Sequence, residues 1–258
     1  MRKLIIVEGL PCSGKSTTAR YIAEQLDMTY IDEGSGCHPA DYEFHAYITC
    51  DELKSFTPRQ QSRILNCAEK KQGGYIVPIG SFEGELAEKL ISRKIYDFLP
   101  WETEYPLMLD KWKEFAGTIG SRRYVFNCVL LQNPMCETMM RFNYDISVSA
   151  GYIGRIWDII APLEPFVVYL RTEDIRAAVE AAAPARGEEW LSGVIDYHCN
   201  GAYGRAHGLS GMDGYIEALA ERQLRETEIL KSLGADHIII EASQKDWEKT
   251  YKDIMSAI

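Results

Sequence analysis

The chain has 258 residues, of which 46% are hydrophobic and 26% are charged, and its formal net charge is −10. This length can bury the core of one large α/β domain, and the composition is ordinary for a globular protein. The acidic balance argues against a protein that binds nucleic acid or an anionic membrane surface. No stretch approaches the roughly 18 apolar residues that a membrane span needs. We therefore expect a cytoplasmic protein, with neither nucleic acid nor membrane as a partner, and the sequence leaves the oligomeric state open.

The most informative motif occupies residues 9–16 and has the pattern G-x-x-x-x-G-K-[ST]. A short apolar run at residues 4–7 precedes it, and apolar residues with helical spacing follow it at residues 19–26. This order of strand, glycine-rich loop and helix is the context in which the motif binds phosphates. Loop N–H groups and the helix N-terminus supply the binding site. The motif therefore predicts a nucleoside triphosphate site.

The phosphate-binding loop assigns a role to each of its polar residues. Lys15 is expected to reach the β- and γ-phosphates of ATP, and the Ser16 hydroxyl to ligate Mg²⁺. Cys12 lies close to a helix N-terminus, where the pKa of a thiol tends to fall. The residues expected to bind the nucleotide are Gly9, Pro11, Cys12, Ser13, Gly14, Lys15, Ser16 and Thr17.

Five apolar runs predict the strands of the core, and they lie at residues 4–7, 29–31, 124–131, 166–170 and 237–240. Helical patterns separate these runs, and strands that alternate with helices form a parallel sheet. The predicted fold class is α/β, a P-loop NTPase with a three-layer, doubly wound parallel sheet of about five strands and a helical insertion.

The alternation of strands and helices lapses between residues 41 and 122. Residues 73–80 are interpreted as a loop or a short edge strand, because Pro78 cannot donate to a sheet ladder. Residues 83–98 and 107–115 have helical patterns. We interpret the whole stretch as an inserted cap that packs over the C-terminal edge of the sheet.

The remaining sequence predicts two helices that complete a single domain over residues 1–258. The first covers residues 213–233 and has Ile216, Leu219, Ala220 and Leu224 on one face. The second opens at residues 243–246 with a start that resembles a capping box.

Two segments resemble thymidylate kinases and deoxynucleoside kinases. The first comprises Ile5-Ile6-Val7-Glu8-Gly9 and Gly14-Lys15-Ser16-Thr17-Thr18. The second, at residues 167–174 and 185–189, is similar to the fourth core strand and the arginine-bearing lid of deoxynucleoside kinases. The resemblance covers residues 3–27 and 165–190, about a fifth of the chain. It implies an ATP- and Mg²⁺-dependent kinase whose small-molecule acceptor is a nucleoside or nucleotide.

The resemblance also implies catalytic residues besides Lys15. In these kinases an acid at the end of the second strand takes the proton of the acceptor hydroxyl, and Asp32 and Glu33 occupy that place. Arg186 matches the lid arginine that offsets charge on the transferring phosphoryl group. Three further arginines, Arg171, Arg176 and Arg205, are lesser candidates for that role.

The third strand departs from the kinase pattern. These kinases usually have an acid-arginine pair after it, whereas this chain continues as Gln132-Asn133-Pro134, and its next acid and arginine are Glu137 and Arg141. The departure leaves the acceptor open, so another metabolite or an antibiotic hydroxyl is an alternative. A nucleotide-operated switch with only NTPase activity is the other alternative, although a guanine-specifying N-K-x-D motif is absent.

Overall fold

A computed structural model describes residues 2–241 and 246–258. The described chain forms two compact units. The first unit contains residues 2–33 and the described residues from 116 onward, and the second unit is Gly34–Phe115. The strands, in chain order, are β1 (Leu4–Gly9), β2 (Thr29–Ile31), β3 (His45–Thr49), β4 (Glu69–Lys71), β5 (Gly74–Pro78), β6 (Tyr124–Asn127), β7 (Phe166–Arg171) and β8 (His237–Glu241).

The helices lie between these strands and after the last of them. In chain order they are α1 (Lys15–Leu26), α2 (Cys50–Leu53), α3 (Pro58–Leu65), α4 (Glu85–Ile91), α5 (Ile95–Phe98), α6 (Trp101–Thr118), α7 (Gln132–Met135), α8 (Ile146–Ile160), α9 (Ile175–Arg186), α10 (Glu188–Asn200), α11 (Ala202–Ala206), α12 (Gly211–Ser232) and α13 (Trp247–Ala257). A π-helical segment, Cys136–Arg141, continues α7. No helix in the described ranges is long and apolar enough to cross a membrane.

The five-stranded sheet of the first unit has the order β2-β6-β1-β7-β8, with every neighbouring pair parallel. All five predicted core strands are therefore confirmed. The third of them ends at Asn127, earlier than the expected residue 131, because Cys128 and Val129 have φ values of 57° and 95° that leave the strand conformation.

Helices cover both faces of this sheet. On one face, Ile5 and Val7 of β1 pack in a buried cluster with Ile22 of α1 and Ile254 of α13. On the other face, the Tyr169 hydroxyl of β7 donates to α12. The predicted three-layer, doubly wound fold is thus confirmed. All five strands point the same way, so the residues that follow them meet at one edge, the usual ligand-binding edge of such sheets.

The two predicted C-terminal helices are present, with corrections. Helix α12 matches the first, but Leu224 is 59% exposed, so the predicted apolar face is partly wrong. For the second, residues 243–245 lie outside the described residues. Helix α13 begins at Trp247, and the Asp246 carboxylate caps it by accepting a hydrogen bond from the Lys249 N–H.

The second unit contains a sheet as well as helices. Its three strands are antiparallel in the order β3-β5-β4, so the segment interpreted as a loop or edge strand is the central strand. Pro78 is tolerated there because it is the last residue of β5, opposite His45. The predicted helix at residues 83–98 is broken, since α4 ends at Ile91 and α5 is a single turn in which Asp97 has a φ of 72°.

Candidate nucleotide-binding site

The loop between β1 and α1 is shaped by close approaches that only glycine permits. Gly9 has a φ of 144°, and a Cβ atom there would lie 2.5 Å from the carbonyl oxygen of Leu170 on β7. Gly14 has a φ of 92°, and its Cβ would lie 2.3 Å from Cη2 of Trp247 on α13. Both glycines of the motif are therefore required by neighbouring elements as well as by the turn.

The N-terminus of α1 is arranged to bind an anion. Among the residues that the structure describes, no side chain caps this terminus and no acid lies in its first turn. Lys15 is buried, and its ammonium donates a 2.9 Å hydrogen bond to the carbonyl oxygen of Leu10. The ammonium has two more N–H donors. Together with the first-turn N–H groups and the helix dipole they favour phosphate.

Ser16 is linked to the end of β2 through a side chain of β6. The Asn127 amide donates to Ser16 Oγ at 3.0 Å and to Asp32 Oδ1 at 2.8 Å. Burial raises the pKa of Asp32, but hydrogen bonds from Tyr30, Asn127 and Arg20 outweigh this effect, and the pKa lies below its ordinary value. The hydroxyl and the ionised carboxylate are the oxygen ligands that Mg²⁺ prefers, with water for the rest of its shell.

Glu33 points to a different partner from Asp32. Its Oε1 accepts a 2.5 Å hydrogen bond from the side-chain amide of Gln132, the first residue of α7. Gln132 follows the third core strand, where the resembling kinases have an acid. The sequence did not indicate Gln132 as a site residue, because the kinase pattern at that position has an acid and assigns no role to a side-chain amide.

A cavity of about 440 Å³ brings most of the predicted residues together. Loop residues 11–17 line one side, and Glu33, Gln132 and Arg186 also line it. Arg186 ends α9, and its guanidinium carbon lies 5.0 Å from the centre of the Trp190 ring. Asp32, Arg171, Arg176 and Arg205 do not line the cavity, and Gly9 lies at the end of β1.

Cys12 does not have the lowered thiol pKa that its position suggests. Burial raises the pKa above its ordinary value, and the opposing charges of Arg186 and Lys15 are too weak to compensate. The backbone of Cys12 has a φ of 68°, in the left-handed region, within the turn of the loop.

Glu8 organises the loop that follows β6. Its buried carboxylate accepts hydrogen bonds from the backbone N–H groups of Leu130, Leu131 and Gln132, at 2.8, 2.9 and 3.3 Å. Burial and, second, the charge of Glu226 raise the pKa of Glu8 to about 7. These bonds hold the turn in which Cys128 and Val129 have positive φ, and so they position Gln132.

A buried ion pair on α12 is the largest feature that the sequence analysis missed. Arg222 and Glu226 are 1% and 0% exposed, and Arg222 Nε lies 3.1 Å from Glu226 Oε1. Tyr169 of β7 donates to Glu226 Oε2 at 2.7 Å. Arg222 also lines the cavity. The i,i+4 spacing of opposite charges was the available signal, but such pairs are usually solvated.

Comparisons with known proteins place kinases among the similar structures. No family model matches the chain, and no curated protein matches its sequence. The chain is similar to the YorR protein of Bacillus subtilis in complex with phosphorylated GDP, at 14% identity over 98% of this chain and 94% of that one, with a TM-score of 0.46. It is similar to deoxyadenosine kinase from M. mycoides with bound dATP, at 14% identity over 99% and 98% of the two chains, with a TM-score of 0.45.

A third similar structure is thymidylate kinase from Candida albicans, at 12% identity over 99% of this chain and 90% of that one, with a TM-score of 0.46. Members of both families that the sequence resembles are thus among the structures to which this chain is similar. The chain has a phosphate-binding loop between β1 and α1, a parallel five-stranded sheet and helices on both faces, which is the P-loop fold that the sequence predicted.

Proposed function

We propose that this protein is an ATP- and Mg²⁺-dependent phosphotransferase that acts on a small-molecule acceptor. The observation that carries the proposal is that Lys15, Ser16, Glu33 and Arg186 line one cavity. Phosphoryl transfer needs positioning and charge stabilisation in place of a protein nucleophile. These four side chains supply both.

Each residue has a role that its surroundings support. The loop N–H groups and Lys15 bind the phosphates of ATP. Ser16, with Asp32 joined to it through Asn127, would hold Mg²⁺. Bound Mg²⁺ supplies charge neutralisation at the phosphates.

Glu33 is the base of the proposed reaction, since it is the carboxylate of the two that lines the cavity. It orients the acceptor hydroxyl and accepts its proton. Arg186 offsets the charge that develops on the transferring group.

The cavity continues past the loop to α10 and α12, which leaves room for an acceptor beside the phosphates. This extension favours a kinase over a switch that only hydrolyses nucleotide. The sequence resemblance favours a nucleoside or nucleotide as the acceptor, with another metabolite hydroxyl as the alternative.

Residues 41–122 are proposed to act as the cap over the bound acceptor. Caps belong to the least stable parts of a structure because they must open. Hydrogen exchange should therefore slow in this segment when acceptor and nucleotide bind, while residues 4–7 exchange slowly throughout. Exchange in residues 41–122 that is as slow as in β1 and unchanged by ligands would assign the segment to permanent scaffold.

The direct test is a thermal-shift screen with Mg²⁺, a non-hydrolysable ATP analogue and a panel of hydroxyl-bearing metabolites. A ligand that binds only the folded protein must raise the melting temperature. Each hit is then assayed for acceptor-dependent ADP formation.

Lys15→Ala should abolish this turnover with the fold intact, and the exposed Lys231→Ala should retain it. Turnover of Lys15→Ala within about threefold of wild type would refute the phosphate-loop assignment. ATP hydrolysis that no panel member accelerates would instead support the switch.

A further inference from the structure

Three polar side chains that line the cavity have hydrogen-bonding atoms that the proposed reaction does not use. They are Arg222 of α12, His198 of α10 and Gln132 of α7, and together they are called the polar wall of the cavity. All three are buried. Each also has at least one side-chain nitrogen or oxygen without a hydrogen-bond partner among the described residues.

Arg222 contributes hydrogen-bond donors. Its Nη1 contacts Cys136 Sγ at 3.5 Å, and its charge is paired with Glu226. Within the described part of the chain, Nη2 has no hydrogen-bond partner. Leaving a buried N–H donor of a charged group without a hydrogen-bond partner costs free energy. Nη2 therefore points to a ligand that accepts a hydrogen bond from it.

His198 contributes an acceptor. Its Nδ1 lies 2.7 Å from the carbonyl oxygen of Val194, and because a carbonyl only accepts, Nδ1 carries the hydrogen. Burial and, second, the charge of Arg222 lower the pKa of His198 to about 4, so the ring is neutral at physiological pH. Nε2 therefore presents a lone pair, and no described residue donates to it.

Gln132 contributes a second acceptor. Its amide nitrogen is held by Glu33 at 2.5 Å and by Cys128 Sγ at 3.7 Å. This fixes the orientation of the amide group. Its Oε1 has no hydrogen-bond partner in the described ranges.

These groups restrict the charge of the ligand that the wall accepts. A carboxylate or phosphate would suit Arg222 but would meet the lone pairs of His198 and Gln132. An ammonium would suit those acceptors but would be repelled by Arg222. An uncharged edge with an acceptor oxygen beside an N–H or O–H pairs with Arg222 and with one of the two acceptors, and a second N–H or O–H, as in a diol, pairs with the other. Buried polar sites reject analogues that leave them unpaired.

We propose that Arg222, His198 and Gln132 form an acceptor-recognition subsite for the uncharged polar edge of a small molecule, in which a hydrogen-bond acceptor stands next to a donor. The assignment of this ligand as the phosphoryl acceptor rests on the proposed function. Cyclic amides and vicinal diols share the required chemistry. The subsite therefore selects the end of the acceptor that does not react.

The full chain is titrated with simple probes in the presence of Mg²⁺ and a non-hydrolysable ATP analogue. Binding of the probes is followed by NMR. The cyclic amide is 2-pyridone, and the diol is cis-1,2-cyclohexanediol. Two matched ligands complete the set: 1-methyl-2-pyridone lacks the N–H donor, and benzoate is an anion of similar size. We expect 2-pyridone, the diol or both to bind, and to shift the His198 ring resonances, with 1-methyl-2-pyridone at least tenfold weaker than 2-pyridone.

Two variants have matched controls in the chain. His198→Phe removes the lone pair, and His207→Phe is its control, because His207 also contacts an i−4 carbonyl through Nδ1 but is exposed. Arg222→Gln is paired with Arg225→Gln, whose arginine also forms an i,i+4 ion pair on α12. We expect at least tenfold weaker probe binding in the first variant of each pair and unchanged binding in the second.

The comparison of probes on the wild-type protein needs no variant, so a variant that does not fold leaves the proposal testable. Tighter binding of benzoate than of the neutral probes would overturn it in favour of an anion subsite. It would also be overturned if neither neutral probe binds the wild type, or if Arg222→Gln weakens the ATP analogue as much as the probes. Failure of the proposed function appears separately, as retained turnover in Lys15→Ala.

Discussion

Glu33 and Gln132 form a 2.5 Å side-chain hydrogen bond between the segments that follow two neighbouring strands, β2 and β6. The bond fixes one carboxylate oxygen of Glu33 at the cavity and leaves the other able to accept from a substrate hydroxyl. Glu8 holds the backbone N–H of Gln132, so the position of the proposed base depends on a buried carboxylate of β1. The site is thus ordered by side chains from β1 and from the segments that follow β2 and β6.

Glu33→Gln should reduce kcat by roughly 10²-fold or more with little change in ATP affinity, because the amide keeps the contact to Gln132 but cannot accept a proton. The matched variant is Asp32→Asn, which removes the neighbouring carboxylate. It should alter the Mg²⁺ requirement more than kcat at saturating Mg²⁺. Steady-state kinetics and nucleotide titrations measure these quantities. A larger loss of kcat in Asp32→Asn than in Glu33→Gln would identify Asp32 as the base. No loss of kcat in either variant would show that neither carboxylate is the base.

Asn127→Ala should raise the Mg²⁺ concentration for half-maximal turnover by roughly tenfold, because it disconnects Ser16 from Asp32. Turnover at saturating Mg²⁺ should fall much less. The control is Asn66→Ala, an exposed asparagine of the second unit. A Mg²⁺ titration identical to that of wild type would show that the bridge does not support the metal.

Arg186→Ala should reduce phosphoryl transfer by about 10²-fold, and nucleotide binding much less, because a lid arginine acts on charge that develops in the transition state. Arg176→Ala is a suitable control, since Arg176 pairs with Asp213 and Glu180 away from the cavity. Equal losses of binding and transfer in Arg186→Ala would assign it to ground-state binding. No loss in either would make it an ordinary surface residue.

The elements of the first unit could be predicted because their signals are local. Each core strand is a short apolar run, and the phosphate-binding loop is a contiguous motif between a strand and a helix. The sheet of the second unit was harder to predict: β4 is Glu69–Lys71, three charged residues without apolar alternation, and β5 ends in a proline.

The polar wall formed by residues 132, 198 and 222 could not be predicted, because these residues belong to three helices that are far apart in the sequence. Arg222 and Glu226 occupy the buried side of α12, whereas Leu224 between them is exposed. Hydrophobic periodicity therefore placed Leu219 in the interior correctly, but it also placed Leu224 there and missed the charged pair. Burial of a charged pair is decided by tertiary partners such as Tyr169, which no local pattern reveals.

Glu8 gives the protein a pH-dependent stability that differs from that of an ordinary carboxylate. Burial, and second the charge of Glu226, raise its pKa from 4.5 to about 7 in the folded chain. Between these values the folded protein holds a proton that the unfolded chain has released. This contribution to stability is therefore complete below about pH 4.5, is lost as the pH rises to about 7, and corresponds to about 3 kcal/mol.

Glu8→Gln removes this titration, so the free energy of unfolding of wild type minus that of the variant should fall as the pH rises from 4.5 to 7 and level off above. Chemical denaturation across this pH range measures the difference. Glu24→Gln, on the exposed side of α1, is the control. Its free energy of unfolding should change with pH in parallel with that of wild type. Parallel curves for wild type and Glu8→Gln would show that Glu8 is ionised in the folded protein throughout this range. The three backbone bonds to residues 130–132 would then outweigh its burial.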